Sequence, residues 1–175
     1  MKTINTRIAL AFALVLFIAT AVLAALSTGS KAPNFKLKNL DNQAISLSQV
    51  QTNPANKSQN RVVLVQFWAT WCPYCVEETP HIQALQDKYA KQGFTAVGLS
   101  EDSGSSEVKN FLKTHKLTYP ILMDDGGSVL KSWSIERGIP QTFLIDRKGV
   151  VRYHNVGFDP TMVSTLEKQV KNLLK

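Results

Sequence analysis

The stretch Arg61-Val62-Val63-Leu64-Val65-Gln66-Phe67-Trp68 is almost unbroken in apolar residues and is followed shortly by Trp71-Cys72-Pro73-Tyr74-Cys75. A strand with one wet face alternates apolar and polar side chains. A continuous apolar run instead marks a strand covered on both faces, in the interior of a sheet flanked by helices. A chain containing such a strand has to supply cover on two sides, and the order of its elements must provide it.

The rest of the sequence meets that demand. Phe35-Lys36-Leu37-Lys38 and Ala44-Ile45-Ser46-Leu47 alternate with period two around Asp41-Asn42-Gln43, which predicts a hairpin. Residues 51–60 are polar, contain Pro54 and read as a surface loop. A helix is expected over residues 72–92, with Pro73 tolerated in its first turn, Pro80 as a kink and Gly93 as its stop. Past the kink, Ile82, Leu85, Tyr89 and the stem of Lys88 share the core face. Residues 94–99 form the next buried strand. Ser105 or Ser106 caps a helix whose stripe is Val108, Phe111, Leu112 and His115. Residues 119–123 are a strand, 124–127 a turn and 129–133 a short helix. Residues 141–145 and 150–153 flank the turn 146–149 as a second hairpin. Residues 161–174 close the chain as an amphipathic helix with Met162, Leu166, Val170 and Leu173 or Leu174 inward. Strands alternating with helices give an α/β class, a central sheet with helices on both faces.

Residues 1–31 stand apart from this body. Lys2 and Arg7 precede an uncharged apolar run over residues 8–26. A secretory signal has an apolar core of roughly 7–15 residues, and a membrane-spanning helix needs about 20. The run lies nearer the second figure, which favours an uncleaved anchor. Ala19-Thr20-Ala21 and Val22-Leu23-Ala24 offer small-residue cleavage sites, so a removed signal stays open. Either form directs export with the basic end left in the cytoplasm. No cysteine follows the run directly, which excludes a lipid anchor on cysteine. The expected organisation is an export signal or membrane anchor with a polar linker over 1–31 and a folded domain over 32–175.

The formal charge is +7, from 20 Lys and Arg against 13 Asp and Glu. The basic residues are scattered from Lys36 to Lys171 without a dense run or interleaved aromatics. This is not the footprint of nucleic-acid binding. It suits solvated faces near an anionic membrane surface.

Cys72 and Cys75 are the only two cysteines in the chain. Two residues apart at a strand-to-helix junction, they can close a small disulfide ring but cannot staple distant parts of the fold. A local, reversible dithiol is what thiol exchange requires. The competing reading, half of a zinc site, needs further ligands, and His81, His115 and His154 show no ligand spacing. No metal and no cofactor are expected. In an exported domain, free cysteines confined to one CxxC point to a catalyst of thiol exchange.

These residues resemble the thioredoxin superfamily, and within it the membrane-anchored TlpA/ResA-like thiol-disulfide oxidoreductases. Three blocks carry the resemblance. Phe67-Trp68-Ala69-Thr70-Trp71-Cys72-Pro73-Tyr74-Cys75, with Glu78 and Pro80, is similar to the family's active-site block. Gly138-Ile139-Pro140-Gln141-Thr142-Phe143-Leu144-Ile145-Asp146 is similar to its cis-proline strand, and Ala32-Pro33-Asn34-Phe35 to its opening hairpin. The resemblance implies a thioredoxin-like fold with an N-terminal β-hairpin and a central insertion around residues 108–114.

The resemblance also implies roles. Cys72, at a helix N-terminus, is the attacking thiolate, and the more buried Cys75 resolves the mixed disulfide. Pro140 follows a cis peptide bond, sits against the cysteines and keeps metals away from them, while the backbone of Ile139 is exposed to pair with a partner strand. Glu78 lies three residues past Cys75 and tunes its thiols by proton exchange in the resembled branch; a solvated helix charge is the other reading of this residue. Gln66 departs from ordinary thioredoxins, which carry a buried Asp there, and cannot titrate. Trp68 reads as core. Trp71, Pro73 and Tyr74 form an apolar docking surface, with Trp71 shielding the disulfide.

The function these expectations favour is a membrane-tethered, extracytoplasmic reductant. Its partners are client proteins with cysteine pairs, apocytochrome c foremost, and a membrane dithiol electron donor. The alternatives are a disulfide-forming oxidase, which usually carries a His between its cysteines, and a peroxiredoxin-like antioxidant, which would want a lone Cys in a Pro-rich, Thr-containing loop. A copper-binding module using Cys72 and Cys75 would need a nearby Met or His.

Overall fold

The computed structural model describes residues 26–133, 135 and 138–175. The apolar run expected to anchor the chain lies outside these, apart from Leu26. Among the described residues no helix is long and apolar enough to cross a membrane.

The elements are β1 (Lys36–Asn39), β2 (Ala44–Ser46), α1 (Leu47–Gln51), β3 (Val62–Trp68), α2 (Pro73–Tyr89), β4 (Phe94–Ser100), α3 (Ser105–Thr114), β5 (Ile121–Met123), α4 (Ser128–Ser132), β6 (Gln141–Ile145), β7 (Val151–Val156) and α5 (Met162–Leu174). The strands form one mixed seven-stranded sheet in the order β2-β1-β5-β4-β3-β6-β7. β3 pairs parallel with β4 and antiparallel with β6.

Every residue of β3 and of β4 is buried. Side chains of a strand alternate between faces, so β3 divides its apolar residues between two cores. Val62, Leu64 and Trp68 face α2, α3 and α5, where Ile82, Leu85, Val108, Leu166 and Val170 cover them. Val63, Val65 and Phe67 face the other side, with Phe35, Leu47, Trp133 and Phe143. Gly98 of β4 lies beside Gln66 in register. A Cβ at Gly98 would stand 2.8 Å from both Trp68 Nε1 and Ile121 Cδ1, so glycine is what lets the Trp68 ring lie against the sheet.

Several local expectations change. A helix, α1, begins at Leu47, the last residue of the expected strand, and runs to Gln51, the first residue of the expected loop. Ser46 caps it, accepting from the Gln49 amide while the Gln49 side chain accepts from the Ser46 N–H, a reciprocal capping box. The cap of α3 is Gly104 in an extended conformation rather than Ser105 or Ser106; the Ser106 hydroxyl donates to Glu107 instead. Lys88 is exposed and pairs with Glu167 of α5 at 2.7 Å rather than laying its stem on the core. Pro80 stands inside α2. Lacking an N–H, it leaves the Val76 carbonyl without its helical donor, and the Thr79 hydroxyl donates to that oxygen at 2.9 Å. The segment read as a polar linker is docked: Gly29 donates to the Val151 carbonyl at 2.8 Å and Ala32 to that of Gly149 at 3.0 Å.

The capping box gives a direct test of α1. Ser46→Ala removes the side-chain acceptor at a nearly buried position and lowers stability by about 1 kcal/mol. The expected result is a lower urea midpoint at unchanged m-value. An unshifted midpoint would mean that the cap does not hold the helix.

Candidate active site

The C-terminal end of β3 delivers the chain through Ala69, Thr70 and Trp71 to Cys72, which is the N-cap of α2 with Pro73 in the first turn. Asp102, buried just beyond β4, holds this loop. It accepts from the Thr70 N–H at 3.0 Å, from the Thr70 hydroxyl at 2.5 Å and from the Ser100 hydroxyl at 2.7 Å. Losing such an acceptor would leave a buried amide unpaired, at a cost of about 1–3 kcal/mol.

Cys72 and Cys75 are joined in a disulfide, with Cα atoms 5.2 Å apart. The Cys75 amide donates to Cys72 Sγ at 3.2 Å. The sulfur thus occupies the place of a capping oxygen, where unpaired amides and the positive end of the helix dipole favour negative charge. Cys72 keeps 5% of its surface exposed and Cys75 none, so an incoming group meets Cys72 first. Around them Trp71 and Tyr74 are 66% and 63% exposed, large apolar rings open to solvent. Pro73, between Cys72 and Tyr74, is also exposed.

The peptide bond between Ile139 and Pro140 is cis. The Ile139 carbonyl oxygen lies 3.8 Å from Cys72 Sγ. In the disulfide no S–H exists to donate, so this is a van der Waals contact. Two bonds hold the loop: Gly157 N–H donates to the Pro140 carbonyl at 2.8 Å, and Gln141 Nε2 donates to the Gly138 carbonyl at 2.8 Å. The Gln141 carboxamide is oriented by the latter bond, so its Oε1, 2.9 Å from His154 Nε2, accepts from that ring nitrogen. His154 stacks on Phe143 with ring centroids 4.1 Å apart, and burial lowers its pKa, keeping the ring neutral.

Glu78 is 1% exposed, which removes the reading of a solvated helix charge; its neighbour Glu77 is the exposed one. Gln66 Nε2 donates to Glu78 Oε2 at 2.8 Å and the Thr142 hydroxyl donates to Oε1 at 2.7 Å. Gln66 on β3 and Thr142 on β6 are direct partners in register, so sheet pairing builds this receptor. Burial pushes the Glu78 carboxyl up to about 7, against the pull of the two hydrogen bonds. Tyr119 and Tyr153 feel the same charge: their hydroxyls are pushed up first by burial and next by Glu78. Cys75 and Glu78 are three residues apart on α2, the spacing that makes side chains neighbours on a helix.

The structure therefore gathers Cys72, Cys75, Ile139, Pro140, Trp71, Pro73 and Tyr74 around one disulfide, with Glu78 one turn further into the helix. Residues that the sequence did not single out are Thr142, Gln141, His154, Asp102 and Tyr119. The legible signal for the first was a polar residue next to an apolar run, Thr142 before Phe143-Leu144-Ile145 in β6, matching Gln66 in β3. Among the described residues no group of three or more His, Cys, Asp or Glu is placed to hold a metal ion.

The sequence and the fold have counterparts among known proteins. A family model described as Redoxin matches residues 27–170. The thiol-disulfide oxidoreductase ResA of Bacillus thuringiensis subsp. konkukian is 33% identical over 123 residues, covering 70% of this chain and 66% of that protein, so the match spans just under two thirds of that relative. ResA of Halalkalibacterium halodurans is 30% identical over 144 residues, covering 82% of this chain and 77% of that one. The crystal structure of a candidate thiol:disulfide interchange protein DsbE from Chlorobium tepidum superposes with a TM-score of 0.77 at 31% identity, over 86% of this chain and 99% of that one. With this fold around a Cys72–Cys75 disulfide, the chain belongs to the Redoxin family and, within the thioredoxin superfamily, to the TlpA/ResA-like thiol-disulfide oxidoreductases.

Proposed function

We propose that this chain works outside the cytoplasm as a thiol-disulfide oxidoreductase that reduces disulfides of client proteins. The observation that carries the reading is the position of Cys72 Sγ. It caps α2, accepts the Cys75 amide and lies beside the Ile139 carbonyl within a collar of exposed aromatic surface. The reduced dithiol supplies two electrons. The Cys72 thiolate attacks one client sulfur, forming a mixed disulfide and releasing the other client sulfur as a thiolate. Cys75 then gives its proton to Glu78, and its sulfur attacks Cys72. The Cys72–Cys75 bond forms, the mixed disulfide breaks, and the second client thiolate leaves. The two client thiolates take up two protons, so the client gains two electrons and two protons.

Residues 1–31 serve in this reading as an export signal or membrane anchor with a linker, resting on Lys2, Arg7 and the apolar run over residues 8–26. Tethering places the domain beside a membrane dithiol donor that returns the two electrons. Apocytochrome c is the favoured client, because haem attachment needs both client thiols reduced. Trp71, Pro73, Tyr74 and the Ile139 backbone are its docking surface.

The reduction potential of the Cys72–Cys75 pair tests the direction of electron flow. A value near or below about −220 mV supports the reductant, and a value near −120 mV makes the protein a disulfide donor and removes the client assigned above. The order of attack has its own test. Cys75→Ser accumulates a covalent complex with a disulfide client on non-reducing gels, and Cys72→Ser does not; the opposite pattern would reverse the two roles.

Glu78 makes a prediction in pH. Its folded pKa of about 7 stands above the ordinary 4.5. Between those values the folded protein keeps a proton that the unfolded chain has released, so this group makes stability fall as pH rises through the window. In Glu78→Gln that slope is absent, and the variant gains on the wild type by up to roughly 3 kcal/mol between pH 4.5 and pH 8. Urea unfolding across this range reads the difference. The pH profile of Cys72 alkylation in the reduced protein shifts in the same variant. Superimposable profiles would separate Glu78 from the thiols.

A further inference from the structure

Gln66 interrupts β3 with the one polar side chain in a strand that is buried throughout. Its carboxamide is used on one side only. Nε2 donates to Glu78 Oε2 at 2.8 Å, while Oε1 is buried without a hydrogen-bond partner. Glu78 takes its second bond on the other oxygen, from the Thr142 hydroxyl. A carboxylate and a carboxylic acid ask different things of this site. The carboxylate accepts on both oxygens, and the arrangement described satisfies it. The acid carries a proton, and in a dry interior that proton needs an acceptor.

Glu78 Oε1 is the hydrogen-bond acceptor that the Thr142 hydroxyl has among the described residues; where that bond is kept, the proton belongs on Oε2, facing Gln66. The only acceptor Gln66 owns is Oε1. A half-turn of the carboxamide about its last torsion exchanges Nε2 for Oε1 at nearly constant shape. We propose that Gln66 is a positioning residue that follows the charge of Glu78, donating Nε2–H to the carboxylate and turning to accept from the acid. This goes beyond the proton acceptor assigned to Glu78 above, and it rests on that reading for its use in thiol exchange.

The surroundings leave Gln66 this task alone. The titratable groups that share the Glu78 environment are Cys75 on α2, Tyr119 ahead of β5 and Tyr153 on β7. Both phenols are held protonated by burial and by the Glu78 charge. A titrating residue at position 66 would add a second buried charge next to Glu78. An aliphatic one would give neither a donor nor an acceptor. An uncharged carboxamide offers both a donor and an acceptor, so it serves both protonation states and lets one carboxyl gain and lose a proton about one helical turn from Cys75 without a second buried charge.

The test is nuclear magnetic resonance on the full chain with its disulfide intact. In wild type, the side-chain amide signals of Gln66 move with pH at the same midpoint as the Glu78 carboxyl carbon. In Glu78→Gln they stay constant from pH 5 to pH 9. In Gln66→Leu, which removes both the donor to the carboxylate and the acceptor for the acid, the Glu78 midpoint rises by about half a unit or more, because the bond to the charged form is the stronger of the two. Gln66 signals that stay flat while Glu78 titrates would overturn the proposal, as would an unmoved Glu78 midpoint in Gln66→Leu. If that variant fails to fold, the comparison of wild type with Glu78→Gln still decides. None of these readouts uses reductase activity, so an inactive protein that passes them would remove the proposed reaction and keep this assignment.

Discussion

With no part of β3 in contact with water, its two faces need separate cores, and the sheet and the described helices are arranged around that need. The parallel partner β4 is equally buried, so the β3–β4 pair is the rigid floor from which the active-site loop rises. The loop leaves the C-terminal end of β3, Asp102 at the end of β4 fastens it at Thr70, and α2 begins at Cys72. A displacement of either strand would move the nucleophile and its fastening together. The position of Cys72 is therefore set by sheet pairing, not by its own short loop.

The same burial creates two opposed electrostatic environments on one helix. At the N-cap, Cys72 Sγ faces the Cys75 amide and the positive end of the dipole, which favour a charged sulfur. One turn past Cys75, Glu78 stands in a nearly dry site that disfavours charge and lifts its carboxyl to about 7. Raising the carboxyl narrows, from the Glu78 side, the roughly four units that ordinarily separate a carboxyl from a thiol. Proton transfer between groups of similar acidity has a small free-energy gap, which is the physical argument behind the proton exchange proposed for Glu78.

How much of this is legible in the sequence depends on the range of the interaction. The unbroken apolar run announced β3, the strand-to-helix junction announced the place of the cysteines, and an X–Pro bond in the similar block announced the cis peptide before Pro140. Local punctuation was less reliable. The Ser46–Gln49 capping box is local, but the period-two alternation running through Leu47 masks it and points to a strand instead. Gly104 displaced two serines as the cap of α3. Contacts set by register were out of reach, because nothing local says that Gln66 faces Thr142 or that His154 bonds to Gln141. What the sequence did carry was the anomaly itself, a glutamine inside an apolar strand, which demands a buried partner without naming it.

The two loops that meet at the disulfide are fastened by the same kind of device. Asp102 grips the backbone of Thr70 on one side, and the Gln141 side chain, steadied by His154, grips the carbonyl of Gly138 on the other. In both cases a side chain from the sheet or its rim replaces a regular backbone partner, so the irregular segments are held without becoming strands or helices. Function follows from what this leaves free. Trp71 and Tyr74 are not drawn into either core, and covering such rings yields only a few kcal/mol, about the binding energy of a millimolar to micromolar encounter. In the proposed reaction each client must leave after exchange, and contact this weak suits it. There, loops fastened around the Cys72 sulfur with an apolar collar beside it would let covalent exchange, more than tight docking, select the partner.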